Sequence, residues 1–250
     1  MKITAAIITY NEERNIDRCL SSLKKIADEI IVLDSNSTDR TKEICLSHNV
    51  KFVSRKWEGY SKSKNYLNKL ATCEYILSID ADESIDSDLE KEILSLKKGS
   101  NPSVYSVNRI TNYCGKWIKH SGWYPDVKLR LFPKEGSFWE GEFVHEKLVP
   151  PKGLNVIKLN GHLLHYSYYT HIEHRERADK YSKLTAEKMN ESGKKTHIFK
   201  PALSGLVRFI SMFIIKRGFL DGFMGFKIAI ISARSNVFKY KELRRLNRTK

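Results

Sequence analysis

The sequence is poor in cysteine, and its four cysteines (Cys19, Cys45, Cys73 and Cys114) lie far apart with no C-x-x-C pair. This spacing excludes a dense disulfide framework, so we expect reduced thiols that mostly fill core positions in a cytosolic protein. Long apolar runs are missing as well, because no stretch reaches the roughly 18 uncharged residues of a membrane-spanning helix. Internal repeats and low-complexity segments are also absent from the sequence.

The apolar run at the N-terminus is too short to be a secretory signal peptide. It extends from Ile3 to Tyr10, meets acids at Glu12 and Glu13, and has no small-residue cleavage site. We interpret it as a first β-strand and expect a cytoplasmic protein.

Acidic residues are scarce only towards the C-terminus. The net charge is +15, and the segment from Lys194 to Lys250 holds fourteen Lys or Arg against two acids, Asp221 and Glu242. The rest of the chain holds thirty basic and twenty-seven acidic residues, a net charge of only +3. A protein that binds nucleic acid over its whole surface would not confine its basic charge in this way, so we expect no nucleic-acid partner.

The first hundred residues alternate between strand-like and helix-like segments. The β-rich runs that predict strands lie at 3–9, 29–33, 50–53 and 75–79. The segments that predict helices lie at 12–26, 60–70 and 89–96. This alternation predicts an α/β fold with a mostly parallel sheet flanked by helices. Two apolar, basic helical segments at 201–215 and 219–238 follow, so we predict a main domain over residues 1–195 and a helical appendage over 196–250.

Two carboxylates one residue apart, Asp80 and Asp82, follow the apolar strand 75–79. In open α/β sheets, ligands bind at the carboxyl ends of the strands. Two acids held this close repel each other unless a cation lies between them and a phosphate, and Mg²⁺ typically uses one or two carboxylates plus substrate phosphates. The Asp80-Ala81-Asp82 triplet therefore suggests a site for a metal-bridged diphosphate. A helix cap or a solvated turn is an open alternative for these two acids.

Two further polar clusters follow predicted strands, at residues 9–12 and 34–39. A right-handed βαβ sheet brings all three strand ends to one edge, where a base and ribose could occupy the first two clusters and a diphosphate the third. Thr-Tyr-Asn-Glu at 9–12, Asp-Ser-x-Ser-Thr-Asp-x-Thr at 34–41 and Asp-Ala-Asp-Glu at 80–83 together resemble a family 2 glycosyltransferase with a GT-A fold. Val-His-Glu at 144–146 and Arg-Gly-Phe-Leu-Asp-Gly at 217–222 resemble a bacterial subgroup that builds lipopolysaccharide core.

The resemblance implies a nucleotide-diphosphate sugar donor, with a UDP-sugar favoured. The implied donor-binding residues are Thr9, Tyr10, Glu12, Asp34, Lys64, Asp80 and Arg130. Thr9, Tyr10 and Asp34 would hold the base and ribose, and Asp80 would contact the ribose or the sugar. Lys64 is alternatively a helix-surface lysine, and Arg130 alternatively pairs with a neighbouring acid.

The resemblance also implies a divalent cation, Mg²⁺ or Mn²⁺, bound by Asp82. A histidine late in this fold often completes the metal shell, and His165 is the first candidate and His162 the second, with a structural role open for either. The family typically inverts configuration in one displacement, in which a carboxylate accepts the proton of the acceptor hydroxyl. Glu146 is the first candidate for this base, with Glu142 and Glu140 as alternatives.

Processive members of the family carry Gln-x-x-Arg-Trp, and no tryptophan in this chain follows an arginine. The resemblance therefore implies transfer of one sugar per encounter, to a lipopolysaccharide core or related glycolipid. The apolar and basic C-terminal helices suit the surface of an anionic bilayer, so we expect a peripheral enzyme on the inner face of the plasma membrane. A helical hairpin packed on the main domain is the alternative.

Two other functions remain open from the sequence. A polyprenyl phosphate acceptor would use the same donor site, whereas a non-catalytic nucleotide- or RNA-binding module would use the basic C-terminal segment without turnover. Acids at the ligand edge repel phosphate unless a metal is present, which disfavours the binding module. Metal-dependent turnover of a nucleotide-sugar would distinguish either glycosyltransferase function from the non-catalytic binding module.

Overall fold

The computed structural model describes residues 1–99, 102–141 and 146–248. The chain forms two compact units, Met1–Arg109 with Asp126–Tyr166 and Ile110–Pro125 with Ser167–Lys250. The domain boundary predicted between residues 195 and 196 stays a prediction.

Strands and helices alternate along the first hundred residues, as the sequence pattern predicts. In chain order they are β1 (Ile3–Thr9), α1 (Ile16–Leu23), β2 (Glu29–Asp34), α2 (Thr41–Ser47), β3 (Lys51–Ser54), α3 (Tyr60–Leu70), β4 (Tyr75–Asp80), β5 (Glu83–Ile85) and α4 (Ser87–Leu96). Six strands follow: β6 (Val104–Tyr113), β7 (Lys116–Ile118), β8 (Asp126–Pro133), β9 (Phe138–Glu140), β10 (Lys147–Val149) and β11 (Val156–Tyr168). The last helices are α5 (His171–Glu191), α6 (Lys200–Ile210) and α7 (Gly222–Arg248).

The main sheet has the strand order β3-β2-β1-β4-β8-β6-β11-β5, with β7 paired to β6. The pairs β3–β2, β2–β1 and β1–β4 are parallel, as expected for βαβ units. The pairs β4–β8, β8–β6 and β5–β11 are antiparallel. The predicted α/β class is confirmed, and the antiparallel strands extend the sheet beyond its parallel half.

Helices cover both faces of the parallel strands. Alternate residues of a strand point to opposite faces, and Ile3 and Ile7 of β1 belong to one buried apolar cluster whereas Ala6 belongs to another. The first cluster includes the buried faces of α1 and α4, and the second includes Leu67 of α3. The carboxyl ends of the strands therefore lie on a rigid, three-layered frame.

The second unit is largely helical. Its core holds Tyr113, Ile118, Met212, Ile228 and Ala229. Helix α5 begins with a capping box in which the hydroxyl of Thr170 and the carboxylate of Glu173 exchange backbone hydrogen bonds. Of the helices in the described residues, none is long and apolar enough to cross a membrane.

Candidate functional site

The ends of three parallel strands bring the predicted polar clusters together. In the sheet register, Thr9 at the end of β1 lies opposite Asp34 of β2, and Ile8 lies opposite Asp80 of β4. Thr9 and Asp34 are buried, whereas the Asp80 side chain keeps about a third of its surface. The three clusters thus form one site at the carboxyl edge of the sheet, in the place that the sequence pattern predicts.

The loops after β1 and β2 are joined by hydrogen bonds. The backbone N–H of Asn11 donates to Ser37 Oγ at 2.8 Å, and Asn11 Oδ1 accepts from the Thr38 N–H at 2.8 Å. Asn11 has a φ of 54°, a left-handed conformation that asparagine tolerates better than most residues. The Asp34 carboxylate accepts from both the N–H and the hydroxyl of Ser37. The two loops therefore form one ordered surface.

The first cluster presents groups of different character. The hydroxyl of Thr9 is buried and finds no hydrogen-bond partner among the described residues. The ring of Tyr10 is mostly exposed. Glu12 is bound locally, because its carboxylate accepts from Asn15 Nδ2 at 2.7 Å and its N–H donates to Thr41 Oγ1 at 2.8 Å. Thr9 and Tyr10 thus offer more to a donor than Glu12 does.

Asp80 lies between two cations. Arg130 Nη2 is 2.8 Å from Asp80 Oδ2, and Lys64 Nζ is 3.5 Å from Asp80 Oδ1. Desolvation by burial raises the pKa of Asp80, but the charges of Arg130 and then Lys64 outweigh it and hold that pKa well below its usual range. Asp80 is therefore ionised at any pH at which the protein would work.

Glu83 is a site residue that the sequence analysis missed. Its carboxylate, on β5, is fully buried and accepts from Arg130 at 2.8 Å, from Arg109 at 3.3 Å and from the N–H of Asp80 at 3.0 Å. Arg109 in turn pairs with Asp126 at 2.7 Å. Arg130 is thus held between the carboxylates of Asp80 and Glu83, which agrees with the alternative prediction that it pairs with a neighbouring acid.

Lys64 connects the donor edge to the predicted base. It is buried on α3, and its Nζ lies 3.2 Å from Glu146 Oε1 and 4.6 Å from the centre of the Trp139 ring. Lys64 is therefore not a helix-surface lysine. Because the same ammonium contacts Asp80 and Glu146, these two carboxylates lie on either side of one cation.

Asp82 and His165 are brought together by the pairing of β5 with β11. In this ladder His165 lies opposite Glu83, and the Tyr166 N–H donates to the Asp82 carbonyl at 2.9 Å. His165 Nε2 is 3.1 Å from Asp82 Oδ2, and both side chains are partly exposed. His162, the second candidate, instead contacts Asp86 at 3.1 Å, at the start of α4.

The Asp82 and His165 pair fits a divalent cation that is shared with a ligand. A carboxylate oxygen suits Mg²⁺ and Mn²⁺ alike, and Mg²⁺ is usually held by one or two carboxylates plus substrate phosphates. The described residues contain no cluster of three His, Cys, Asp or Glu that could hold an ion by themselves. Two protein ligands would leave the other coordination positions to oxygens of a substrate.

The alternatives to Glu146 are less well connected. Glu140 is exposed at the end of β9, opposite Lys147 of β10. Glu142 lies outside the described residues. Among the acids of this segment that the structure describes, Glu146 contacts the site.

Glu83 carried one signal that could have identified it. It directly follows Asp82, and a carboxylate inside a strand-like run is costly to bury without a partner. Its partners, Arg109 and Arg130, lie on strands far along the chain, and no local pattern links them.

The model of the family described as "Glycosyl transferase family 2" matches residues 4–155 of this chain. An uncharacterised glycosyltransferase of Rickettsia typhi is 32% identical over 98% of this chain and 88% of its own length. The lipopolysaccharide core biosynthesis glycosyltransferase LpsC of Rhizobium meliloti is 28% identical over 93% of this chain and 88% of its own length. The predicted resemblance is confirmed by these matches.

One solved structure is similar at a lower level. Glucosyl-3-phosphoglycerate synthase of Mycobacterium tuberculosis, crystallised with Mn²⁺, UDP and glucosyl-3-phosphoglycerate, is 19% identical with a TM-score of 0.38. The match covers 44% of each chain, so this protein spans less than half of that enzyme. The family model and the curated relatives carry the assignment: this chain belongs to glycosyl transferase family 2 and is a glycosyltransferase.

Proposed function

We propose that this glycosyltransferase moves one sugar per encounter from a nucleotide-diphosphate sugar to a lipopolysaccharide core or related glycolipid, with inversion at the anomeric carbon. Mg²⁺ or Mn²⁺ is the proposed cofactor, and the cytoplasmic face of the inner membrane is the proposed location. A UDP-sugar is the favoured donor.

The observation that carries this proposal is the 3.1 Å contact between Asp82 Oδ2 and His165 Nε2, next to the ends of β1, β2 and β4. Asp82 and His165 would hold the cation, which when bound stabilises the charge of the leaving diphosphate. Asp80 contacts the ribose or the sugar. The hydroxyl of Thr9 and the carboxylate of Asp34 would hold the nucleoside.

Glu146 is the proposed base, and Lys64 its positioning partner. Lys64 Nζ holds Glu146 Oε1 at 3.2 Å, which orients the carboxylate towards the donor edge. Glu146 accepts the proton of the acceptor hydroxyl as that oxygen attacks the anomeric carbon. Such a positioned base contributes about two to four powers of ten in rate.

The proposed acceptor class is supported by one relative. LpsC, which aligns over 93% of this chain, is described as a lipopolysaccharide core biosynthesis enzyme. A polyprenyl phosphate would use the same donor site, and the two acceptors differ in the nucleophile, a sugar hydroxyl in one and a phosphate oxygen in the other.

The first experiment is a thermal-shift screen of UDP-, GDP-, ADP- and CMP-sugars with Mn²⁺ or with a chelator. A ligand that binds the native state alone raises the melting temperature. We expect one nucleotide to stabilise the protein only with the metal present, and Asp82→Asn to remove that shift. Asp88→Asn, an exposed acid on α4, is the matched control and should keep it.

The second experiment measures turnover. Glu146→Gln should leave the thermal shift in place and lower the rate of sugar transfer by at least a hundredfold. The anomeric proton signal of the product reports inversion or retention. Donor binding without turnover on any lipid acceptor would favour the non-catalytic module, and transfer to polyprenyl phosphate alone would reassign the acceptor.

A further inference from the structure

Helix α6 in the second unit exposes most of its large apolar residues. Pro201 and Gly205 face inward, whereas Leu206 and Val207 are each 57% exposed. An amphipathic helix that packs on a protein core normally does the opposite. The outward face of α6 therefore lacks a partner within the described chain.

The inner faces of α6 and α7 approach neighbouring chain closely at two glycines. A Cβ added at Gly205 would meet Val237 and Ala233 of α7, and one added at Gly225 would meet the Gly218 carbonyl oxygen. Such close approach requires glycine at these two positions.

The exposed apolar surface continues beyond α6. Of the twenty-four large apolar residues exposed in the described chain, thirteen lie between Ile198 and Ile230. We call this region the 198–230 surface; Leu203, Ile215, Phe219 and Phe223 are prominent members. A soluble protein rarely exposes so many large apolar side chains in one segment unless they bind something.

The charge of the 198–230 surface restricts its partner. The segment contains five basic residues, Lys200, Arg208, Lys216, Arg217 and Lys227, and a single acid, Asp221. Asp221 is buried, and its carboxylate accepts from the N–H groups of Lys119 and His120 at 3.1 and 2.9 Å. The exposed charges of the surface are therefore all positive.

We infer that the 198–230 surface docks on an anionic lipid bilayer. A second copy of the chain would bring the same positive surface against it and be repelled, whereas anionic headgroups attract Lys and Arg and acyl chains accept the apolar residues. The helices lie on the bilayer and do not span it, consistent with their length and composition. The inference is independent of donor chemistry, and it adds a lipid partner to the proposed function.

The test is co-sedimentation of the full-length protein with vesicles. Vesicles of 70% dioleoylphosphatidylcholine and 30% dioleoylphosphatidylglycerol are compared with vesicles of dioleoylphosphatidylcholine alone, in about 0.1 M and 0.5 M salt, where screening lengths differ about twofold. We expect binding to the anionic vesicles, several times weaker in the higher salt. Leu206→Gln/Val207→Gln should weaken that binding by at least about tenfold, because two apolar side chains no longer enter the bilayer.

The matched control lies in the first unit, at the start of β11. Val156 and Ile157 are 57% and 44% exposed, and Val156→Gln/Ile157→Gln should change vesicle binding less than twofold. Because all replaced side chains are exposed, both variants should keep the wild-type melting temperature.

Two results would overturn the inference: equal binding by the Leu206→Gln/Val207→Gln variant, and a wild-type dimer in analytical ultracentrifugation that this variant converts to monomer. The donor thermal shift is measured on the same samples. If the Leu206→Gln/Val207→Gln variant loses vesicle binding but still binds the donor, the docking surface is supported. If the protein binds vesicles but no donor, the result counts only against the proposed function.

Discussion

His174 makes the second unit sensitive to acid. Its Nδ1 is 3.0 Å from the Tyr113 hydroxyl, and its ring packs against Tyr168 and Trp123 with centroids 4.7 and 5.6 Å away. Burial, followed by the positive charges of Arg177 and His171, lowers the pKa of His174 from 6.5 to about 4. In the native protein this imidazole is therefore mostly neutral at pH values well above 4.

The sign and size of the effect follow from that difference. Between pH 6.5 and 4 the unfolded chain binds a proton at His174 and the folded chain does not, so acidification favours unfolding. A shift of one pKa unit corresponds to about 1.4 kcal/mol, which makes the loss of stability across this interval about 3 kcal/mol. The pKa of His171 is also lowered by burial, and its contribution has the same sign.

Urea unfolding between pH 7 and pH 4, followed by tryptophan fluorescence, measures the loss. His174→Phe keeps a ring in the pocket and removes the titration, so its free energy of unfolding should fall less than that of the wild type, by up to about 3 kcal/mol. His197→Gln, at an exposed position of the same unit, controls for loss of a histidine. Parallel pH profiles for wild type and His174→Phe would refute the reasoning.

Three further predictions concern the site. Glu83→Gln leaves buried Arg130 with one carboxylate partner and should lower the free energy of unfolding by about 3 kcal/mol; an unchanged urea midpoint would contradict this. Lys64→Gln removes an ammonium next to the donor edge and should raise the dissociation constant of the nucleotide-sugar by at least about tenfold in calorimetry. An unaltered affinity would mean that Lys64 acts only as the partner of Glu146 and does not contribute to donor binding. Cys19 is fully buried, and burial followed by the charge of Glu83 raises its pKa well above 9, so iodoacetamide at pH 8 should label it only after unfolding in urea.

Local patterns in the sequence predict the parallel half of the fold and the polar residues at its strand ends. Asp80 and Asp82 follow an apolar strand, and the general rule for parallel sheets places them at the ligand edge. The contact between Asp82 and His165 depends on the pairing of β5 with β11, which are separated by more than seventy residues. Spacing alone does not determine such a register, and the family resemblance implies only that a histidine late in the fold completes the metal shell.

One local difference has a physical cause. Helix α1 begins at Ile16 and not at Glu12, because Asn11 is left-handed and residues 12–15 form a hydrogen-bonded turn. In α6 the periodicity identifies an apolar face but does not say whether that face packs inward or outward.

The joined loops after β1 and β2 have a consequence for recognition. Because Asn11, Ser37, Thr38 and Asp34 already satisfy one another, a small molecule that enters this edge need not organise the backbone around itself, and little conformational entropy is lost on association. Discrimination between nucleosides should then come from shape and hydrogen-bond complementarity to a stiff template, so that a poorly matched base is rejected and not accommodated by adjustment of the loops.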